Sequence, residues 1–138
     1  MDDKLALLAR VPLFAGIEPD DLTKIGRIAE DVEAPAGTVL THEGRHEGYF
    51  FVIVSGTVRI DRGGQTINTI SDGDFLGEIA LLDGGPRTAS ATAATDCRLL
   101  KLTLDRFDEL MDASPTIRRA IFEEFGNRLR RLDTDGVH

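Results

Sequence analysis

Apolar residues recur along the chain at two different periods, and the change of period divides it into three parts. Near the N-terminus, Leu5, Leu8 and Val11 return at helical spacing behind Asp2 and Asp3, and Pro12 ends the run. Acidic residues suit a helix start, because the amides there are unpaired and carry partial positive charge. Pro19, Asp20 and Asp21 open a second helix with Leu22, Ile25, Ile28 and Ala29 on one face. From Val32 to about Leu102 the period shortens. Strands are predicted over Thr38–Thr41, Tyr49–Val54, Thr57–Asp61, Gln65–Ile70, Thr88–Ala94 and Arg98–Leu102. Pro35–Gly37, Gly44, Gly48, Ser55–Gly56, Gly63–Gly64, Asp72–Gly73 and Gly84–Pro86 punctuate them. Short strands with no long helix between them predict an antiparallel barrel or jelly roll. Helical texture resumes at Leu104, where Phe107, Leu110 and Met111 share a face. Ser114 and Pro115 read as an N-cap followed by proline at the first helical position. The last helix runs to about Leu132, with Phe122, Phe125, Leu129 and Leu132 at a three-four-three spacing. That seam suits packing against the barrel or against a second copy of the chain, so a homodimer through this helix is expected.

Composition narrows the classes. A chain of 138 residues suits one domain and buries a core without staples. The expected organisation is a single domain over 1–138: N-terminal helices in 1–31, the β-barrel in 32–103 and C-terminal helices in 104–135. No apolar run approaches the roughly 20 residues that span a bilayer, and the acidic start MDDKLALLAR is not a secretory signal. The single cysteine, Cys97, excludes a disulfide framework and fits a reducing, cytoplasmic setting. Cys97 itself reads as a small buried residue opening the last strand. A net charge of −8 argues against nucleic acid as the main partner. The closing helix is locally basic, with Arg118, Arg119, Arg128, Arg130 and Arg131 against Glu123 and Glu124, which reads as a solvated face.

The segment from Asp72 to Ala93, DGDFLGEIALLDGGPRTASATA, carries the chemistry. A turn at Asp72-Gly73-Asp74 leads to Glu78 directly behind Gly77. Ile79–Leu82 is long enough for one helical turn, and a second turn ends in Arg87 and Thr88. Amides at a helix start favour an anion. Gly77 permits close approach to that backbone. Arg87 supplies a forked pair of donors to phosphate oxygens, and Thr88 adds a hydroxyl. Glu78 suits hydroxyl donors rather than phosphate. One cation, one carboxylate and a helix start describe a sugar-phosphate pocket.

Phe75, Gly77, Glu78, Ile79, Ala80, Leu81, Leu82, Pro86, Arg87, Ala89, Ser90 and Ala93 resemble the phosphate-binding cassette of the cyclic nucleotide-binding domain family. Leu76 stands between Phe75 and Gly77, as in many bacterial members, and Ala91 replaces a common valine. Upstream, Tyr49–Val58 is similar to the family's strand, glycine turn and strand. The resemblance implies a mainly β fold with flanking helices: an antiparallel eight-stranded jelly-roll (double-stranded β-helix) barrel, N-terminal helices and a long C-terminal lid helix. It implies that Glu78 binds the ribose 2′-hydroxyl. Arg87 would bind the cyclic phosphate with Thr88 and the amides near Ala80 and Thr88. Gly77, Ile79 and Ala89 complete the ligand-binding set. Ile60, Ile67 and Leu76 would line the base and sugar side, and the lid would lie near Arg131, Leu132 and Asp133. The expected ligand is cAMP, with cGMP second, since Thr88 is compatible with either. The expectation is a binding module and not an enzyme, needing no cofactor or metal. It would stand alone, with no DNA-binding or membrane segment, and signal to an unknown protein effector by closing its last helix.

Two other readings stand beside this one. His42-Glu43-Gly44-Arg45-His46 fits H-E-x-x-H, whose histidines bind zinc when the motif is helical, so a small metal-dependent barrel enzyme is one alternative. Here the motif follows a strand and contains a glycine, which favours loop residues at the barrel edge. The other alternative is an interaction domain that keeps the fold without a ligand.

Overall fold

The computed structural model describes residues 3–11, 14, 16–76 and 88–134. Helices α1 (Asp3–Arg10) and α2 (Pro19–Ile28) come first. Proline opens α2, Asp20 and Asp21 occupy its first turn, and the Thr23 hydroxyl donates back to the Pro19 carbonyl at 3.0 Å. Ala29 turns extended while its N–H still bonds the Ile25 carbonyl at 3.0 Å. Eight strands follow: β1 (Glu30–Ala34), β2 (Val39–Thr41), β3 (Tyr49–Ser55), β4 (Val58–Arg62), β5 (Gln65–Ile70), β6 (Phe75–Leu76), β7 (Ser90–Ala93) and β8 (Cys97–Thr103). Helices α3 (Leu104–Ala113) and α4 (Pro115–Thr134) complete the described chain.

The strands form two antiparallel four-stranded sheets, ordered β1-β8-β3-β6 and β2-β7-β4-β5. The chain crosses repeatedly from one sheet to the other, which is the expected jelly-roll connectivity. The expected closed barrel is not formed: among the described residues no ladder joins the sheets. Closure needs strands that bend across a corner and pair in both sheets. With two residues in β6 and three in β2, these strands are too short for that. Strands β1 and β6 were not among the runs read from the pattern. β1, sequence EDVEA, is acidic and poor in β-formers. It is drawn into the sheet by full pairing with β8, from Glu30↔Lys101 to Ala34↔Cys97, and by two Arg98–Asp31 hydrogen bonds at 3.2 and 2.7 Å.

Strands β3, β6 and β8 of the first sheet carry buried residues on both faces, while β1 at its edge is largely exposed. Successive side chains of a strand point to opposite sides, so Phe50, Val52, Phe75, Leu100 and Leu102 pack against the helices. Phe51, Ile53, Leu76, Cys97 and Leu99 face the second sheet instead. On the helix side they meet Leu8, Leu22, Ile25, Phe107, Met111, Ile117 and Ile121. The Phe50 ring lies 5.8 Å from Phe75 and 5.6 Å from Phe107, centroid to centroid. Between the sheets the partners are Leu40, Val58, Ile70, Ala91 and Ala93. The second sheet is wet on its outer face, and β5 is exposed at every position except Ile70.

Helix α4 begins as expected: the Ile117 N–H donates to the Ser114 hydroxyl at 3.3 Å. Its buried face differs from the expected seam. Ile117 and Ile121 are fully buried, whereas Phe122 is 41% exposed. The side chains of Phe125, Leu129 and Leu132 lie outside the described residues. The helix axis is set by what the first sheet offers, so the stripe nearest Phe50 and Phe107 turns inward. Ile121→Ala is expected to cost about 2–4 kcal/mol in urea unfolding, and Phe122→Ala less than about 1 kcal/mol. Equal losses would return the Phe122 seam to the core.

Gly56 closes the turn between β3 and β4 with φ +111°. A Cβ there would stand 2.6 Å from Cys97 Sγ and 2.7 Å from the Asp96 carbonyl oxygen. Gly56→Ala combines a left-handed backbone with an overpacked contact, so a loss of about 2–4 kcal/mol is expected from the same measurement.

Candidate ligand site

The 72–93 segment leaves one sheet and enters the other. Its entry is β6, in the first sheet, and its exit is the bend at Thr88 and Ala89 that leads into β7, in the second. The expected strand from Thr88 is therefore shorter: it starts at Ser90, and Thr88 and Ala89 precede it.

The entry is held by the Asp72-Gly73-Asp74 turn. The Asp74 carboxylate accepts the Ser71 N–H at 3.1 Å, and the Asp74 N–H donates to the Ser71 carbonyl at 3.0 Å. Gly73 N–H donates to the Ile53 carbonyl and Ile53 N–H to the Asp74 carbonyl, both at 2.8 Å. The Asp72 carboxylate accepts the Gly56 N–H at 2.9 Å. Short carboxylate acceptors of this kind satisfy turn amides that have no strand partner. The turn is thus tied to β3 on one side and to Gly56 on the other, which sets the position of Phe75 and Leu76.

The exit is held from three directions. Arg62 Nε donates to the Thr88 carbonyl at 3.0 Å, and the Thr41 hydroxyl donates to the Ala89 carbonyl at 3.3 Å. The Glu43 N–H donates to the Ser90 hydroxyl at 2.9 Å, while a Glu43 carboxylate oxygen accepts the Gly63 N–H at 3.0 Å. Arg62 and Gln65 pair across the two-residue hairpin Gly63–Gly64, whose φ values are +60° and +80°. Neither Arg62, Thr41 nor Glu43 stood out in the sequence as part of this site. Only the pairing of β4 with β7 brings Arg62 here, and no local spacing signals that pairing.

Of the expected lining residues, Leu76 is buried between the sheets and Ile60 packs against the same cluster. Ile60 pairs with Ala91 and with Asn68. Ile67 is 49% exposed, at the irregular step where Ile60 pairs with Asn68 and Asp61 with Thr66. Asp61 also accepts the Thr66 hydroxyl at 2.8 Å; that bond and the Arg59 guanidinium hold its carboxyl below the ordinary value. Thr88 is exposed and Ala89 half-buried. Gly77, Glu78, Ile79, Ala80 and Arg87 lie outside the described residues, as do the side chains of Arg131, Leu132 and Asp133.

The H-E-x-x-H motif lies in a loop between β2 and β3, not on the helix that zinc ligation by this spacing requires. Glu43 is committed to Gly63, and His42 Nδ1 lies 2.9 Å from Glu47 Oε2. Among the described residues no cluster of three His, Cys, Asp or Glu side chains forms a metal site. The loop is instead braced through Glu47. Burial would raise the Glu47 carboxyl, but the His42 N–H at 2.8 Å, the His42 ring and the Tyr49 hydroxyl at 3.2 Å outweigh it and hold it below 4.5. Lys101 Nζ sits 4.6 Å from the centre of the Tyr49 ring.

This geometry is a two-sheet β-roll in which polar contacts hold both ends of one connection. Residues 31–114 match the cyclic nucleotide-binding domain family, and the chain belongs to that family. Over 134 residues it is 31% identical to a CRP-like cAMP-activated global transcriptional regulator of Mycobacterium tuberculosis, covering 94% of this chain and 60% of that one. It is 36% identical over 127 residues to the potassium/sodium hyperpolarization-activated cyclic nucleotide-gated channel 2 of Mus musculus, covering 91% of this chain and 15% of the channel. The crystal structure of the Thermus thermophilus Catabolite Activator Protein superposes with a TM-score of 0.78 at 30% identity, over 90% of this chain and 61% of that one. The chain thus spans 60% of the mycobacterial regulator and a small part of the channel. Among the described residues, no helix is long and apolar enough to cross a membrane.

A carboxyl with a depressed folded value loses its proton more readily folded than unfolded. Its contribution is therefore present above the ordinary value of 4.5 and is lost as pH falls through the depressed one. The native protein is expected to be more stable than Glu47→Gln above the ordinary carboxyl value of 4.5 and to lose that advantage progressively as pH falls below it, read by urea unfolding at each pH. A difference independent of pH would remove the ionised Glu47 from the brace.

Proposed function

We propose that this domain binds a cyclic nucleotide, cAMP, as a sensor whose last helix closes over the bound ligand. The observation that carries the reading is the family match over residues 31–114, which spans both tethered ends of the 77–87 connection. Within that connection the chain keeps both charged groups the ligand needs, Glu78 and Arg87. The CRP-like relative is named for activation by cAMP, and the channel for gating by cyclic nucleotides.

In this reading Arg87 holds the cyclic phosphate with two charge-assisted hydrogen bonds, and the Thr88 hydroxyl and the amides near Ala80 and Thr88 add neutral donors. Glu78 accepts from the ribose 2′-hydroxyl. Gly77 and Ile79 shape the backbone around the sugar, and Ile60, Ile67 and Leu76 face the base and sugar. Arg131, Leu132 and Asp133 form the lid. An anion binds an acidic domain only where local donors exceed the net field, which is why charge and amides converge on one short stretch. Ligand shifts the α4 equilibrium by no more than its difference in affinity for the open and closed arrangements. The domain acts by binding, with the signal passing to a protein effector.

Titration calorimetry with cAMP and cGMP tests the reading. One-site binding is expected, tighter for cAMP, and no heat from either nucleotide at millimolar concentration would overturn it. Arg87→Ala is expected to raise the Kd by at least about tenfold, since a hydrogen bond to a charged group is worth about 1.5–3 kcal/mol. Unchanged affinity in that variant would move the site elsewhere.

A further inference from the structure

We infer that Arg62, together with Thr41 and Glu43, is a clamp that positions the phosphate donors of the site without touching the ligand. The inference rests on the cyclic nucleotide reading above. Three successive residues at the exit of the cassette are each held from outside it: Thr88 by Arg62 of β4, Ala89 by Thr41 of β2, and Ser90 by Glu43 of the β2–β3 loop. Two of those bonds occupy backbone carbonyls. A trans peptide is planar, so the N–H of a peptide group points opposite to its carbonyl. With the Thr88 carbonyl held toward Arg62, the Ala89 N–H faces the other way. Among the described residues, neither that N–H nor the Thr88 hydroxyl has a partner. The clamp therefore occupies the two carbonyl acceptors and leaves the Ala89 N–H and the Thr88 hydroxyl as the donors open to a phosphate.

The three tethers differ in burial. Thr41 is 2% exposed and sits beneath the bend, whereas Arg62 is exposed and lies over it. Among the described residues Arg62 has no carboxylate within ion-pair distance. Its Nε is committed to the Thr88 carbonyl, and its remaining guanidinium nitrogens add a cation beside the exit. Glu43 joins the clamp to the Gly63–Gly64 hairpin that fixes the position of Arg62. A hydrogen bond between exposed groups adds little to folding stability. For Arg62 the expected effect is therefore on ligand affinity and not on the fold.

Calorimetric titration with cAMP of the native protein, Arg62→Met, Arg62→Gln and Thr41→Val tests this. Methionine removes the donor. Glutamine keeps an N–H at the same distance along the side chain, without the charge. Arg62→Met is expected to raise the Kd by about tenfold, and Thr41→Val by about threefold. Arg62→Gln is expected to stay within about threefold of native, with urea midpoints of both ligand-free Arg62 variants matching native. The Ala89 amide proton is expected to move downfield on cAMP addition, and less so in Arg62→Met. Native affinity in Arg62→Met overturns the clamp while the site reading stands. Equal weakening by methionine and glutamine also overturns it, by assigning the effect to charge. Absence of cAMP and cGMP binding in the native protein overturns the site reading, and the clamp with it.

Discussion

Strands β3 and β8 pair along almost their whole length, from Tyr49↔Thr103 to Ser55↔Arg98, and both faces of that ladder are apolar. Such a ladder cannot lie at a surface. It needs one layer on each side, and the chain supplies helices for one and a second sheet for the other. The helical layer is assembled from both ends of the described chain, with Leu8 and Ile25 meeting Phe107 and Ile121. The second sheet is amphipathic and requires only one dry face. Two separate cores result, and the ladder is the wall between them.

That wall also determines where the 77–87 connection starts. Phe75 and Leu76 are the last pair of residues added to the first sheet, with one side chain in each core. Fourteen positions after Leu76 the chain enters the second sheet at Ser90, directly after the bend at Thr88 and Ala89. The connection therefore starts on a strand anchored by apolar burial and ends on a bend anchored by polar contacts. Apolar packing at Leu76 provides rigidity, since a dense core resists displacement. Hydrogen bonds at Thr88, Ala89 and Ser90 provide direction, because only they orient carbonyls and amides.

Electrostatics acts locally throughout. The domain carries −8 overall, yet the pairs at its rim are small and self-contained: Asp31 with Arg98, Asp61 with Arg59 and Thr66, and Glu47 with His42 and Tyr49. Each uses up a carboxylate close to where it stands. At the exit of the 72–93 segment stand the Arg62 guanidinium, the Thr88 hydroxyl and the Glu43 carboxylate, the last accepting the Gly63 N–H. The pair at Glu47 fastens the same loop whose Glu43 reaches Ser90, so the acidic residues of the rim hold backbone in place.

Much of this was legible residue by residue, and the reasons are local. Asp72-Gly73-Asp74 is a turn because short carboxylates cap nearby amides, and Ser114-Pro115 starts a helix because hydroxyl and proline suit those positions. Tyr49–Val54 reads as a strand from composition, and the structure has it in β3. What the sequence determined by itself was therefore element type, the caps and turns, and the list of charged groups available to a ligand. All of these depend on neighbours a few positions apart. Only tertiary structure decided that acidic β1 pairs with β8, that the sheets stay unclosed, and that Ile121 turns inward while Phe122 does not. It also decided that Arg62 reaches Thr88 across 26 positions of sequence. These outcomes depend on which surfaces meet, and a chain encodes that in the sum of its contacts rather than in any single stretch.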